Sequence, residues 1–223
     1  MTTPPATSGE TPRRVLATRH AGWAIALAHW LARHGVRPNA VSVAGVVFAT
    51  GAGVAFAASW SAIGGRRAVL LLVAAACIQL RLLCNLLDGM IAVEEGFKTR
   101  TGDIYNDLPD RVADVIILVG AGYSARAFAG GVPLGWAAAV MALFTAYVRL
   151  LAGSLGVTQH FIGPMAKQHR MFTLTLATLA ATVEVVLDAP PRAIRVGLAV
   201  IVAGSIVTAF RRTARMAREV NTR

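Results

Sequence analysis

The chain has 223 residues, 56% of them hydrophobic and only 15% charged, with a mean hydropathy of +0.59. That composition excludes an ordinary soluble domain and points to a single integral membrane domain. The net charge of +11 comes from arginines that punctuate apolar runs, without the basic stripe and interleaved aromatics of a nucleic-acid surface. Membrane lipids and phosphorylated substrates are the expected partners, and nucleic acid is not.

Residues 1–14 bring no apolar run next to their charges, which excludes a signal peptide and predicts a disordered cytoplasmic tail. Residues 15–35 alternate apolar and basic positions at near-helical spacing, with Trp23 and Trp30 seven apart. This predicts an amphipathic helix lying on the membrane surface. Crossing a ~30 Å hydrocarbon core takes about 20 apolar helical residues. Within 36–212 six segments qualify, at 39–60, 68–93, 107–128, 134–155, 171–187 and 193–210. The breaks carry Gly-Gly-Arg-Arg at 64–67, mixed charges at 94–106, Gly-Gly-Val-Pro at 130–133, a polar stretch at 158–170 and Asp-Ala-Pro-Pro-Arg at 188–192. A basic cytoplasmic tail is expected at 213–223. The predicted fold class is thus an all-α integral membrane protein, six transmembrane helices preceded by an amphipathic juxtamembrane helix.

Lys and Arg set the orientation. With a cytoplasmic N-terminus, fifteen of them fall on the inner side and five on the outer, Arg81 and Arg149 lying within spans. Both termini and the 94–106 segment are then cytoplasmic. Cys77 and Cys84, seven apart in one apolar run, share a helix face and are too distant to bridge; they read as small core residues. The five histidines have no common metal spacing, and Glu184, inside the fifth span, is expected to pair with a buried arginine. Gly45, Gly51 and Gly53 permit close helix packing in the first span.

Positions 88–114 hold seven of the eleven acidic residues. Asn85 and Asp88 are three apart, Asp107 and Asp110 three apart, and Asn106 and Asp110 four apart, so each set projects from one helix face. Two adjacent antiparallel helices would bring these faces together as a patch of hard oxygen ligands, suited to Mg²⁺ or Mn²⁺. Ionisable residues this close to a bilayer are functional candidates by default. The plainer reading has these acids capping the third span and pairing with Lys98, Arg100 and Arg111, and for Asp103 and Asp114 it is preferred. Arg81 precedes Asn85 by four and Asp88 by seven, on their face of the second span. It is either a counter-ion to the carboxylates or a donor to a phosphate, and Arg81→Ala is expected to lower turnover while leaving the protein folded.

Asp88-Gly89-x-x-Ala92, followed by Gly102, Asn106 and Asp110, resembles the signature of the CDP-alcohol phosphatidyltransferases. That signature reads Asp-x2-Asp-Gly-x2-Ala-Arg, a short spacer, then Gly-x3-Asp-x3-Asp. Pro38-Asn39-x-x-Ser42 is similar to the Pro-Asn-x-x-Thr/Ser that opens the family's first membrane helix, and Lys167-x-x-Arg170 resembles its basic element near the acceptor alcohol. Asn85 stands in place of the first aspartate, Asn106 in place of the third, and Val93 in place of the arginine.

The resemblance implies transfer of a phosphatidyl or other phospho-alcohol group from a CDP-linked lipid, CDP-diacylglycerol foremost, to an alcohol, releasing CMP in phospholipid biosynthesis. It implies Mg²⁺ or Mn²⁺, a homodimer, and a site facing the cytoplasm. The family's four aspartates hold two ions, and the last is its proposed general base. Carried onto this chain, Asn85, Asp88, Asn106 and Asp110 are the metal ligands, with Asp107 a candidate substitute for Asn106 on spacing, and Asp110 is the catalytic base. Gly89, Ala92 and Gly102 leave room for the nucleotide, and Lys98 or Arg100 replaces the missing arginine. Arg81, Arg149, Lys167 and Arg170 are the candidate acceptor or phosphate contacts. Each asparagine removes one negative charge, so weaker metal binding, or one ion in place of two, is expected. The alternatives are a non-catalytic membrane protein that binds CDP-lipid or metal, and a small ion or solute transporter.

Overall fold

The computed structural model describes residues 21–94, 102–159 and 162–222. These form seven helices: α1 (Gly22–Arg33), α2 (Pro38–Ser59), α3 (Gly64–Glu94), α4 (Gly102–Ser124), α5 (Gly131–Ser154), α6 (Lys167–Val186) and α7 (Ala193–Asn221). Local chemistry explains the ends. Pro38 opens α2 at a position where its missing N–H costs nothing. Gly130 takes a left-handed φ of 81° just before α5. Asp188, φ 54°, and the two prolines after it stop α6.

α2 packs on α3 and α4, α4 on α5, α5 on α7, α7 on α6, and α6 on α3, closing six helices into a ring around an apolar core that includes Phe56, Leu71, Ile78, Ile117, Leu174 and Leu198. Small residues set the closest approach. A Cβ on Gly120 would sit 2.7 Å from the Gly53 backbone, and one on Gly53 2.7 Å from Ile116 Cγ2, so α2 and α4 touch backbone to backbone. Gly45 and Gly51 face Cys84 and Cys77 of α3. The glycines expected to permit close packing therefore spend it inside the protomer. Both cysteines are free, Cys84 buried and Cys77 half-buried.

Four helices, α2, α3, α5 and α7, are long and apolar enough to cross a membrane. α4 falls short because Asp107, Asp110, Arg111 and Asp114 interrupt its apolar sequence; α6 begins with Lys167, His169 and Arg170 and carries Glu184 near its end. α1 packs on α3 through buried Ala24 and Ala28, while Trp23 and Trp30 stay more than half exposed on the other side. Of the segment expected to be helical at 15–35, residues 22–33 form α1; residues 1–20, including the expected tail, lie outside the described residues. The expected basic tail at 213–223 is not separate, since α7 runs to Asn221 with Arg212 and Met216 buried. Glu184 accepts the backbone N–H of Ala193 at 3.0 Å, an N-terminal cap for α7 in place of the expected arginine partner.

Polar contacts fix the relative direction of the helices. Ser42 early in α2 meets Asp88 late in α3, Lys167 at the start of α6 meets Asn85, and Arg149 late in α5 meets Asp107 early in α4. Ser59 and Ser124 share a hydrogen bond of 2.7 Å at the opposite end. The acidic residues therefore gather at the end that contains the start of α2, the end of α3 and the starts of α4 and α6.

Candidate active site

At this end a narrow cleft of about 10 Å³, enough for about one water-sized group, is lined by Ser42, Gly45, Val46, Arg81, Cys84, Asn85, Asp88, Pro109 and Asp110. Asn85 and Asp88 reach it from one face of α3, and Asp110 from α4. The sequence suggested that α3 and α4 are close neighbours. The two helices do touch, with α2 packed against both, and side chains join their faces as expected: Asn85 Nδ2 donates to Asp110 Oδ1 at 2.9 Å, and Arg81 Nη2 to the same oxygen at 3.3 Å.

Asp88 is 5% exposed. Its Oδ2 accepts from Ser42 Oγ at 2.8 Å, and its Oδ1 is buried without a hydrogen-bond partner. Such an oxygen is costly to keep dry and is a natural ligand for a cation. Lys167 Nζ donates to Asn85 Oδ1 at 2.9 Å and forms an ion pair with Asp110 Oδ2.

Behind the cleft lies a buried charge network. Asp114, 1% exposed, accepts from Arg81 Nη2 at 2.8 Å and from Arg170 Nη2 at 2.9 Å. Arg170 Nη1 also donates to Thr145 Oγ1 and to the Met165 carbonyl, both at 3.2 Å. Arg212 donates to the carbonyls of Thr145 and Ile162. Asp114, expected to cap a helix, is the hub of this network. Its spacing of four from Asp110 and seven from Asp107 was the signal in the sequence. Arg81 is a counter-ion, the first of the two roles left open for it. At 1% exposure, its removal would take one cationic partner from each of Asp110 and Asp114, so Arg81→Ala is expected to cost stability as well as turnover. Arg170, expected near the acceptor, is 2% exposed and tied into the same network.

Asp107 does not line the cleft. It accepts from Arg111 Nη2 at 2.7 Å and from Arg149 Nη2 at 2.8 Å, so two guanidinium groups already neutralise the expected substitute ligand. Gly89 and Ala92 follow Asp88 on the last turns of α3, half-buried, and Gly102 opens α4. Asn106 lies one turn before Asp110 in α4; its side chain, and Lys98 and Arg100 altogether, lie outside the described residues. Sequence reasoning gave no role to Thr145, and Ser42 entered only as part of a motif.

The described part of the donor set can be tested against a hard cation. Among the described residues no group of three or more His, Cys, Asp or Glu side chains converges on a point. Two carboxylates, Asp88 and Asp110, with the Asn85 amide oxygen, suit an ion that takes its other ligands from water and phosphates, as Mg²⁺ does.

No family model and no curated protein matches the sequence. Solved structures do. The phosphatidylinositol phosphate synthase of Mycobacterium tuberculosis, with CDP-DAG bound, superposes with a TM-score of 0.73 at 21% identity, covering 86% of this chain and 92% of that one. The same synthase in complex with manganese and citrate gives 0.73 at 22% identity over 86% and 88%. Its apo form gives 0.69 at 22% over 85% and 93%. The chain has the fold of this synthase.

Proposed function

We propose that the protein is a metal-dependent CDP-alcohol phosphatidyltransferase, moving a phosphatidyl or other phospho-alcohol group from a CDP-linked lipid to an alcohol and releasing CMP. One observation carries this reading: Asn85 and Asp88 of α3 and Asp110 of α4 line one cleft, with Asp88 Oδ1 buried and unpartnered, in a fold shared with a synthase solved with CDP-DAG and with manganese.

In this reading Asp88, Asn85 and Asp110 hold a divalent cation, Mg²⁺ or Mn²⁺, with Asn106 one turn before Asp110 as a further oxygen donor. When bound, the ion neutralises the diphosphate charge that would otherwise repel an attacking oxygen. Asp110 takes the proton of the acceptor alcohol, Arg81 and Asn85 holding its carboxylate through Oδ1. Gly89, Ala92 and Gly102 make room for the nucleotide, with Lys98 and Arg100 on its phosphates. Lys167 and Arg149 serve the phosphates of the substrates, and the buried Arg81 and Arg170 hold the carboxylates in place. All six long helices span the membrane, the cleft and both termini lie on the cytoplasmic side, and two copies form a homodimer.

The test is CMP release by the purified protein from CDP-diacylglycerol with Mg²⁺ or Mn²⁺ and a panel of alcohols: glycerol phosphate, inositol phosphate, serine and phosphatidylglycerol. Metal-dependent CMP release with one of them supports the reading. A second reading, a protein that binds CDP-lipid without turning it over, is favoured by the two asparagines and by Lys167 seated on Asp110. Binding of CDP without CMP release under any of these conditions would select it.

A further inference from the structure

The position of Lys167 carries an inference that rests on the metal-binding reading above and deepens it. Its ammonium touches Asn85 Oδ1 and Asp110 Oδ2, two of the oxygens a divalent ion needs. The charges at this end show why it sits there. Among the described residues, Arg81, Lys167 and Arg170 already occupy the carboxylates of Asp110 and Asp114, so cationic side chains hold this end together without any ion. Arg81 and Arg170 are 1% and 2% exposed and held on Asp114, so they cannot leave. The Lys167 side chain is 19% exposed, is attached at the first residue of α6, and has a flexible four-carbon stem. It is the one cation of the three with room to swing away. Asp88 Oδ1, meanwhile, has no hydrogen-bond partner in this arrangement, and an entering cation would supply one.

We propose that Lys167 is a tethered competitor for the divalent ion. It closes the oxygen site in the resting protein and yields Asp110 Oδ2 and Asn85 Oδ1 when ion and diphosphate arrive together, the phosphates then receiving its ammonium. Lys167 is a positioning residue in this scheme. It makes metal and nucleotide binding mutually dependent, and by linkage each must raise the other's affinity by the same factor. The chain's asparagines sharpen the competition, because each removes a charge that would have helped the ion win.

The experiment titrates Mn²⁺ into the detergent-solubilised full-length protein, following free Mn²⁺ by electron paramagnetic resonance, with and without CDP. It compares the unaltered protein with Lys167→Met and Lys167→Gln, and thermal unfolding checks that each variant is folded. Without nucleotide, both variants are expected to bind Mn²⁺ at least tenfold more tightly, a gain of about 1.4 kcal/mol. The rise in Mn²⁺ affinity that CDP causes should shrink in the variants by a similar factor. If the unaltered protein binds Mn²⁺ and the folded variants bind it equally or more weakly, the inference is overturned while the metal-dependent reading stands. If no protein binds Mn²⁺ with or without CDP, both fall. A lysine that merely braced the fold would change the melting temperature but not these two affinities in opposite senses.

Discussion

Asp114→Asn tests the buried network most directly, because it removes one charge with almost no change of volume. Asp114 is 1% exposed and is the shared acceptor of Arg81 at 2.8 Å and Arg170 at 2.9 Å. Removing one partner of a buried ion pair typically costs about 3–5 kcal/mol, because the remaining charge is left uncompensated. Partial compensation exists on both sides: Arg81 keeps Asp110, and Arg170 keeps Thr145 and the Met165 carbonyl. The expected cost is therefore near the lower end, about 3 kcal/mol. At roughly 2–4 °C per kcal/mol for a chain of this size, the apparent melting temperature in detergent should fall by about 6–12 °C. The control is Asp188→Asn. Asp188 is exposed and has a φ of 54°, a conformation asparagine adopts readily, so that change should stay within about 0.5 kcal/mol. Arg170→Met in the Asp114→Asn background should recover part of the loss, since a buried charge and its lost partner are then both absent. Equal melting temperatures for Asp114→Asn and Asp188→Asn would refute the account of Asp114 as the hub.

The helix crossing of α2 and α4 makes a second prediction. Gly120→Ala puts a Cβ 2.7 Å from the Gly53 backbone and should cost about 1–3 kcal/mol by overpacking, whereas Gly65→Ala, with open space around it, should be neutral or slightly stabilising in the same melting assay. Ser42→Ala removes the donor to Asp88 Oδ2; with both carboxylate oxygens then unpaired, about 1–3 kcal/mol of stability should be lost, and saturating Mn²⁺ should restore most of it by binding the folded state. Asp107→Asn removes the charge that Arg111 and Arg149 share at a surface only partly buried, so a loss of about 1 kcal/mol or less is expected. Mn²⁺ affinity should not change, and a drop in it would return Asp107 to the ligand set.

The apolar segments marked where each long helix lies, and for α2, α3, α5 and α7 they are long enough to cross a membrane, because the requirement that a membrane helix satisfy its own backbone is local and written in consecutive residues. The ends were harder to place for the same reason. α7 continues to Asn221, eleven residues beyond the apolar segment that ended at 210; charge alone marked a boundary there, yet arginine stems pack as well as they ionise, and Arg212 is buried against two carbonyls. Residue spacing showed that Asn85 and Asp88 share a face, and so do Asp107, Asp110 and Asp114. It did not show which acid meets which base. Helical phase fixes the direction of a side chain only relative to its own axis, and here α2 packs against both α3 and α4. That geometry turned Asp114 inward to two arginines and left Asp107 to Arg111 and Arg149.

The same limit explains why Asn85 read as a loss. Taken as a sequence substitution, an asparagine in a carboxylate position only weakens a cation site. In three dimensions its two ends do different work: Nδ2 donates to Asp110 Oδ1 while Oδ1 accepts from Lys167. A carboxylate could not make the first of these bonds, and it would repel Asp110. Asn85 thus binds Asp110 directly and passes a cation's attraction to it through one amide, which an aspartate could do only with an ion always in place. Asn85→Asp should therefore weaken the resting site and strengthen the loaded one. Without divalent ion the variant should melt lower than the unaltered protein, by about 1–2 kcal/mol for a lost charge-assisted bond and an added repulsion. With saturating Mn²⁺ the order should reverse. A variant equally stable with and without Mn²⁺ would mean that residue 85 does not face the ion, and the cleft would then lose its third oxygen donor.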